Sequence, residues 1–451
     1  MSEPVHVDRM RDGDGRVSRT AVSLALGTVL VLLTRAAAVG APPVVNGHVQ
    51  YETFGYPDPE TNGPRWENFF AGTVRGNGQL LSTLSWQFEG RAVADDVGFT
   101  AGAYSLRNAT RRRPYLSLIT GLLDYRPAAD LRISAGKQIA NWSIFDELQP
   151  ANLMTSRDES DGFRRVEQGV DAIAAHYRMG DAFAELVVVP LAFTPSRLPQ
   201  ERWNITNTFP ILPGLSLVEP QDLPPVRLNE TQAGARVGAQ AGALEATLVG
   251  YVGRDTEAIF IPGAILFLNG RPHQLQITSH YPRMRAGGVT ASLPVGDRLL
   301  LRTEAVYYNS PDRNRDDFLH SVVGAEYALD DWRIVVNYLR DDQTIPAPES
   351  VTSGKVTNKG ERRFFKSFVF GEVRYDAGGR LRGRLRGGYD ATGEFLLLQP
   401  EVSYRLWGRL WVALLGEVID TDRKAYEDNK ISYFDSIRHE DRLGTRIEYD
   451  F

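Results

Sequence analysis

Four arginines, Arg380, Arg382, Arg384 and Arg386, alternate with Leu381, Gly383 and Leu385 in one short stretch. A strand places every second side chain on one face, so all four guanidinium groups line up, spaced over roughly 20 Å at about 3.4 Å per residue. The chemistry open to such a ladder is the holding and passing of anions, because each planar fork suits a carboxylate or phosphate. The ladder can also be neutralised by its neighbours. If Asp376-Ala377-Gly378-Gly379-Arg380 forms a three-residue hairpin, Glu372 stands opposite Arg384. Glu401 on the next strand then lies near Arg382 or Arg384, and Arg374 shares their face. Opposed charges on adjacent strands are an ordinary structural device, and neutralisation is the commoner of the two outcomes.

Other chemistry has less to work with. The seven histidines (6, 48, 176, 273, 280, 320 and 439) show no metal-ligand spacing, and there is no Gly-x-Ser-x-Gly. With no cysteine, disulfides, thiolate metal sites and covalent haem attachment are excluded. No catalytic residue, metal or cofactor is therefore expected. A formal net charge of −5 argues against nucleic acid as a partner.

The ladder belongs to a series of alternating segments. Residues 115–125 and 131–140 are joined by a short turn and followed by a long segment, and the rhythm repeats. It continues through 167–178 with 182–191, 231–240 with 244–254, 281–293 with 297–308, and 317–328 with 331–340. It ends with 363–376 and 380–390, 394–405 and 408–419, and 438–451 alone. Short turns alternating with long loops are the asymmetry of a transmembrane β-barrel whose lipid face is apolar and whose lumen is wet. Both chain ends on the short-turn side require an even number of strands, so an odd number precedes Tyr115. Residues 47–54, 66–75 and 79–93, the last two joined at Asn77-Gly78 as a hairpin turn, give eighteen. Sixteen is the alternative. The expectation is one all-β antiparallel barrel with short periplasmic turns and long extracellular loops. Alternation turns Glu89, Arg91, Arg302, Glu304, Glu326 and Glu417 toward water.

The two ends agree on compartment. Arg9, Arg11, Arg16 and Arg19 precede an apolar run from Thr20 to Leu33 and then small residues, which predicts a signal peptide over 1–40, cleaved on export. Residues 41–451 then form the barrel. At the other end Ile447, Tyr449 and Phe451 share one face of a terminal strand. That ending resembles the C-terminal signal by which bacterial outer-membrane barrels are recognised for insertion, and it implies the barrel-assembly machinery and outer-membrane lipid as partners.

Two segments are long and unusually apolar. Residues 142–165 carry Trp142 and Phe145, and residues 193–229 carry Trp203, Phe209 and many prolines. Irregular stretches of this length in a compact fold are usually functional or disordered. Folding inward to narrow the pore and packing outside as a lid are evenly matched readings.

The stretch Leu131-Arg132-Ile133-Ser134-Ala135-Gly136-Lys137-Gln138-Ile139-Ala140-Asn141-Trp142 resembles the strand, Gly-Arg-Gln, Trp-Gly signature of a poorly characterised group of porin-like outer-membrane barrels. Gln149-Pro150-Ala151-Asn152-Leu153 is similar to its Asn-Pro-x-Asp-Leu, and residues 189–199 to its Pro-rich segment. The likeness covers roughly residues 45–255. Lys137, Ser143 and Gln149 depart from the usual Arg, Gly and Asn, marking a divergent member. The group is similar in style to alginate-export barrels, and the resemblance implies passive passage of organic substrates. The expected function is a channel for small organic or anionic solutes, monomeric by default. The alternative is a scaffold barrel that houses a partner protein or serves an export complex.

Overall fold

The computed structural model describes residues 43–57, 64–105, 109–162, 164–190, 193–197, 199, 216–268, 271–312, 315, 317–345, 367–391, 395–421 and 440–451. The proposed signal peptide, Trp203 and Phe209 lie outside these residues. Eighteen strands make the barrel wall, and six shorter or accessory strands stand at its loop end or inside it. In chain order they are β1 (Val44–Gly55), β2 (Trp66–Leu81), β3 (Leu84–Asp95), β4 (Leu116–Tyr125), β5 (Leu131–Gln138), β6 (Ser156–Asp161), β7 (Arg164–Gln168), β8 (Val170–Met179), β9 (Ala182–Val189), β10 (Ser216–Val218), β11 (Gln221–Asp222) and β12 (Gln232–Ala241). There follow β13 (Leu244–Arg254), β14 (Ile259–Leu268), β15 (Arg271–His280), β16 (Arg283–Val295), β17 (Leu299–Asn309), β18 (Asp317–Leu329), β19 (Trp332–Ile345), β20 (Ser367–Asp376), β21 (Leu381–Asp390), β22 (Phe395–Trp407), β23 (Leu410–Thr421) and β24 (Arg442–Asp450).

Every wall strand pairs antiparallel with its neighbour, and β24 pairs with β1, so the sheet closes on itself as eighteen strands. Alternation sets the two faces. Leu248, Val323, Val402 and Leu414 are at least half exposed on the outside, while their polar neighbours turn inward. Tyr125, Tyr177, Trp332 and Trp407 ring the short-turn end, and Tyr307, Tyr338 and Tyr389 the other. An aliphatic belt between two aromatic girdles is the surface of a barrel seated in lipid. Tight turns use residues tolerant of positive φ, among them Gly408 (51°) and Asp330 (49°).

Two details differ from the sequence reading. Asn77-Gly78 is not a turn; β2 runs on to Leu81 and the chain reverses at Ser82-Thr83. Gly78 is paired with Trp86, whose Nε1 would be 2.8 Å from a Cβ there, so the glycine makes room for an indole across the strand. Residues 255–280, to which no strands were assigned, form the hairpin β14–β15. It joins β10 and β11 in a second, four-stranded sheet at the loop end.

The large apolar clusters lie inside the barrel. Trp142, Leu153 and Met154 pack against Val187, Val249 and Val306, and Phe145 and Leu148 against Val322, Leu339 and Phe368. What they bury is the chain's own segment between β5 and β8.

Candidate pore lining and inward segment

That segment leaves β5 and reaches the far wall. Trp142 is 3% exposed; it lies against Gly234 of β12, and its Nε1 donates to Glu185 of β9 (3.2 Å). Next, Glu304 of β17 accepts from the Ser143 hydroxyl (2.8 Å) and from the backbone N–H groups of Ile144 and Ala151 (3.0 Å for the latter). Arg302 donates to the Ile144 carbonyl (2.6 Å) and stacks over the Phe145 ring at 5.1 Å. Asp146 then faces Arg333 of β19 (3.7 Å), and Glu147 pairs with Arg386 of β21 (2.8 Å). In the closed order of strands, β21 stands across the barrel from β5, so the chain crosses the lumen.

The return path is the hairpin β6–β7, held to the opposite wall by charge. Arg442 of β24 grips Asp161 through two hydrogen bonds of 3.0 Å and also reaches Glu67 (3.3 Å) and Glu417. Arg164 of β7 meets Glu52 (2.7 Å), Glu67 (2.9 Å) and Asp161 (2.9 Å). Both guanidinium groups lie over Phe54, at 4.3 and 5.1 Å. Buried charges persist only when paired and hydrogen-bonded, and this cluster ties β1, β2, β24 and the hairpin together. Gly169 makes the exit to β8 possible, since a Cβ there would fall 2.0 Å from the Ile119 carbonyl oxygen.

The arginine ladder is placed as alternation requires, with Leu381 and Leu385 outside and half exposed. Its partners differ from those expected. Asp376 accepts from the Gly378 N–H (2.9 Å), Gly378 takes φ 68°, and the connection is wider than a three-residue hairpin. Asp376 therefore pairs in register with Arg382, Arg374 with Arg384, and Glu372 with Arg386. Glu372 is not opposite Arg384; its carboxylate is held by Arg374 (3.1 Å). Arg384 does face Glu401 (2.5 Å), which also holds Arg446. Arg382 pairs with Asp376 (2.9 Å) and lies 3.9 Å over the Trp411 ring. Three rungs thus carry a carboxylate partner, and Arg380 sits exposed beyond the end of the strand.

Between the inward segment and the wall is a cavity of about 130 Å³, lined by Gln149, Arg157, Arg165, Glu257, Arg315 and Tyr308 among others. Burial, with Asp255 beside it, pushes Glu257 above the usual carboxylate range against the pull of Arg157, Arg165 and Arg315. Asp158 of β6 shows the reverse: burial would raise it, yet Arg113, Arg197 and the Ser160 hydrogen bonds hold it well below.

No protein-family model matches the sequence, and no curated protein does. Solved structures do match, at low identity. The Pseudomonas aeruginosa OccK11 (OpdR) structure is 10% identical with a TM-score of 0.50, covering 92% of this chain and 97% of that one. The fold the two share is a closed antiparallel β-barrel. Pseudomonas aeruginosa OccK9 (OpdG), 11% identical with a TM-score of 0.48, covers 91% of this chain and 97% of that one. Salmonella typhi OmpF, 10% identical with a TM-score of 0.44, covers 91% and 98%.

Within this barrel, sequence reasoning missed the residues that anchor the inward chain: Glu147, Asp161 and Arg164 on the chain, and Glu52, Glu67 and Arg442 on the wall. They are far apart in sequence, and alternation reveals only that the wall residues face inward.

Proposed function

We propose that the protein is a passive outer-membrane channel for small organic solutes, anionic ones among them. The observation that carries this reading is the chain segment from Trp142 to Leu153, which crosses a closed, charge-lined lumen and leaves beside it a cavity of about 130 Å³. A closed barrel with a polar interior supplies a water path, and chain folded into it sets the size limit. Guanidinium groups paired with carboxylates line that wall, so a solute carboxylate can exchange onto Arg384 while the displaced Glu401 keeps Arg446. A scaffold barrel built around another protein needs an open lumen. This chain fills its own with Trp142, Phe145 and the β6–β7 hairpin, which favours the channel.

Reconstitution into planar bilayers tests the proposal. Discrete single-channel steps are expected, with swelling of proteoliposomes in small monocarboxylates and exclusion of oligosaccharides. Folded protein that shows neither steps nor swelling would refute it.

A further inference from the structure

The outer face of the barrel carries a cluster of arginines at the loop end of β13 and β16. Arg283 and Arg285 alternate with the buried Met284 and Ala286, so they point outward in line with Gly287 and Val289. Arg254 is the cross-strand partner of Arg283, and Val252, 58% exposed, is that of Arg285. Gly287 in turn faces the girdle residue Tyr307 on β17. At about 3.4 Å per residue, Arg285 stands about 7 Å beyond the girdle and Arg283 about 14 Å. Both lie at the height of lipid headgroups, where a charge on the lipid face costs least.

Their donors are largely open. The Arg283 side chain is 53% exposed and uses one nitrogen, Nη2, on Glu230 (2.8 Å) and on the Asn229 carbonyl oxygen (3.4 Å). Glu230 is already shared with Arg254 (2.7 Å). Arg285 is exposed and makes no hydrogen bond or ion pair among the described residues. Carboxylates of the neighbouring loop are engaged elsewhere: Asp317 accepts from Asn309 (2.7 Å), Tyr307 (3.3 Å) and the Ser310 N–H (2.9 Å), and Asp312 meets His280 (2.8 Å). An open cleft of about 180 Å³ runs between the arginines, with Val252 and Pro311 in its walls.

Next to the cleft, on the membrane side, the wall is hollowed. Gly250 and Gly287 are cross-strand partners; a Cβ on the first would meet nothing within 4 Å, and one on the second only the Val249 carbonyl oxygen at 3.9 Å. With Ala235 beside Gly250 they floor a trough between Leu186 and Tyr307. Guanidinium forks match phosphate oxygens, and a bare apolar trough matches a hydrocarbon chain. One molecule that satisfies both is an amphiphile with a phosphate head.

We propose that this patch binds a phosphate-bearing lipid of the outer leaflet, with its phosphate on Arg283 and Arg285 and an acyl chain in the Gly250–Gly287 trough. A soluble anion has no use for the trough. The inference rests on the barrel's place in the outer membrane and not on any solute, and its readout is lipid binding rather than conductance.

The test titrates the full folded barrel in detergent with diphosphoryl lipid A and follows the complex by native mass spectrometry. One lipid should be retained saturably, and the same lipid stripped of its phosphates should need at least tenfold more for half-saturation. Arg283→Gln combined with Arg285→Gln should weaken retention of the phosphorylated lipid at least tenfold, and because Glu230 keeps Arg254 the fold should survive. Arg285→Gln alone removes a guanidinium with no described partner; it should give a smaller loss in the same direction, and it stands in should the double variant fail to fold. Arg409→Gln, in the short turn at the opposite end, should change nothing. Equal retention of the two lipids would overturn the proposal, as would unchanged retention in the folded variants or an equal loss in Arg409→Gln. Displacement of bound lipid by an equimolar amount of inorganic phosphate would assign the site to free phosphate and overturn it too.

Discussion

Glu304 is the wall residue from which the inward chain hangs, since one carboxylate accepts from Ser143, Ile144 and Ala151. Glu304→Ala leaves those buried donors unsatisfied, each costing about 1–3 kcal/mol. The expected outcome is a barrel that still shows heat-modifiable mobility on gels but unfolds at a lower temperature, with larger and noisier single-channel currents. Glu257 gives a prediction in pH. Its folded-state pKa is raised above the unfolded value, so its contribution to stability is fully present below the unfolded pKa and is lost as pH rises through the folded one. Lowering the pH through the raised pKa to below the ordinary carboxylate range should therefore neutralise this lumenal carboxylate beside Arg157 and Arg315 and shift the reversal potential in a salt gradient toward anions. Glu257→Gln should show the shifted value already at pH 7.5 and lose the pH dependence. Neither residue had a legible role in the sequence. Alternation turned Glu304 inward, but its partners are more than 150 residues away, and no local spacing encodes such a pair.

At the scale of elements, the arginine ladder on β21 was legible as a face and misread as a register. The face follows from period two alone. The register depends on how the β20–β21 turn closes, and there the Asp376 side chain takes up the Gly378 N–H and slides the strands. Because Arg384 and Arg446 share Glu401, replacing Arg382 and Arg384 together with Gln should lower the unfolding temperature more than it alters ion selectivity. The Arg382–Asp376 pair is half exposed and worth at most about 1 kcal/mol, so most of the loss belongs to Arg384. Reversal potentials and thermal melts of the double variant check this. The inward segment was legible as apolar bulk between strands, which left lid and plug evenly matched, and only its contacts with wall strands from β9 round to β21 place it within the lumen. Replacing residues 143–151 with a short Gly-Ser link should raise single-channel conductance several-fold while the barrel still folds. The other apolar segment keeps Trp203 and Phe209 outside the described residues.

For the whole molecule, eighteen strands were readable because lipid imposes one rule on every strand: apolar out, polar in. The Asn77-Gly78 turn failed because a glycine beside an asparagine has two uses, and here Trp86 claims the space above Gly78. Closure rests on a similar device at the seam. Gly47 and Phe451 exchange backbone hydrogen bonds of 3.0 and 2.9 Å, and the Phe451 ring lies where a Cβ on residue 47 would stand, 2.1 Å away. Gly47→Val should leave the barrel unclosed and heat-insensitive on gels. The double variant with Phe451→Ala, which removes the clashing ring, should recover part of the folded band.

The seam also sets the order of events during folding. His48 and Asp450 hydrogen-bond across it at 2.8 Å although 402 positions separate them in the chain. Bringing ends so distant together costs about 5 kcal/mol of loop-closure entropy, and nothing recovers that cost until the other seventeen strand pairings have shortened the path. Closure is thus the late step, and its reverse must break a full row of backbone hydrogen bonds before any strand edge is freed. Such a barrel forms slowly and comes apart more slowly still, so its lifetime in the membrane is governed by a barrier rather than by an equilibrium.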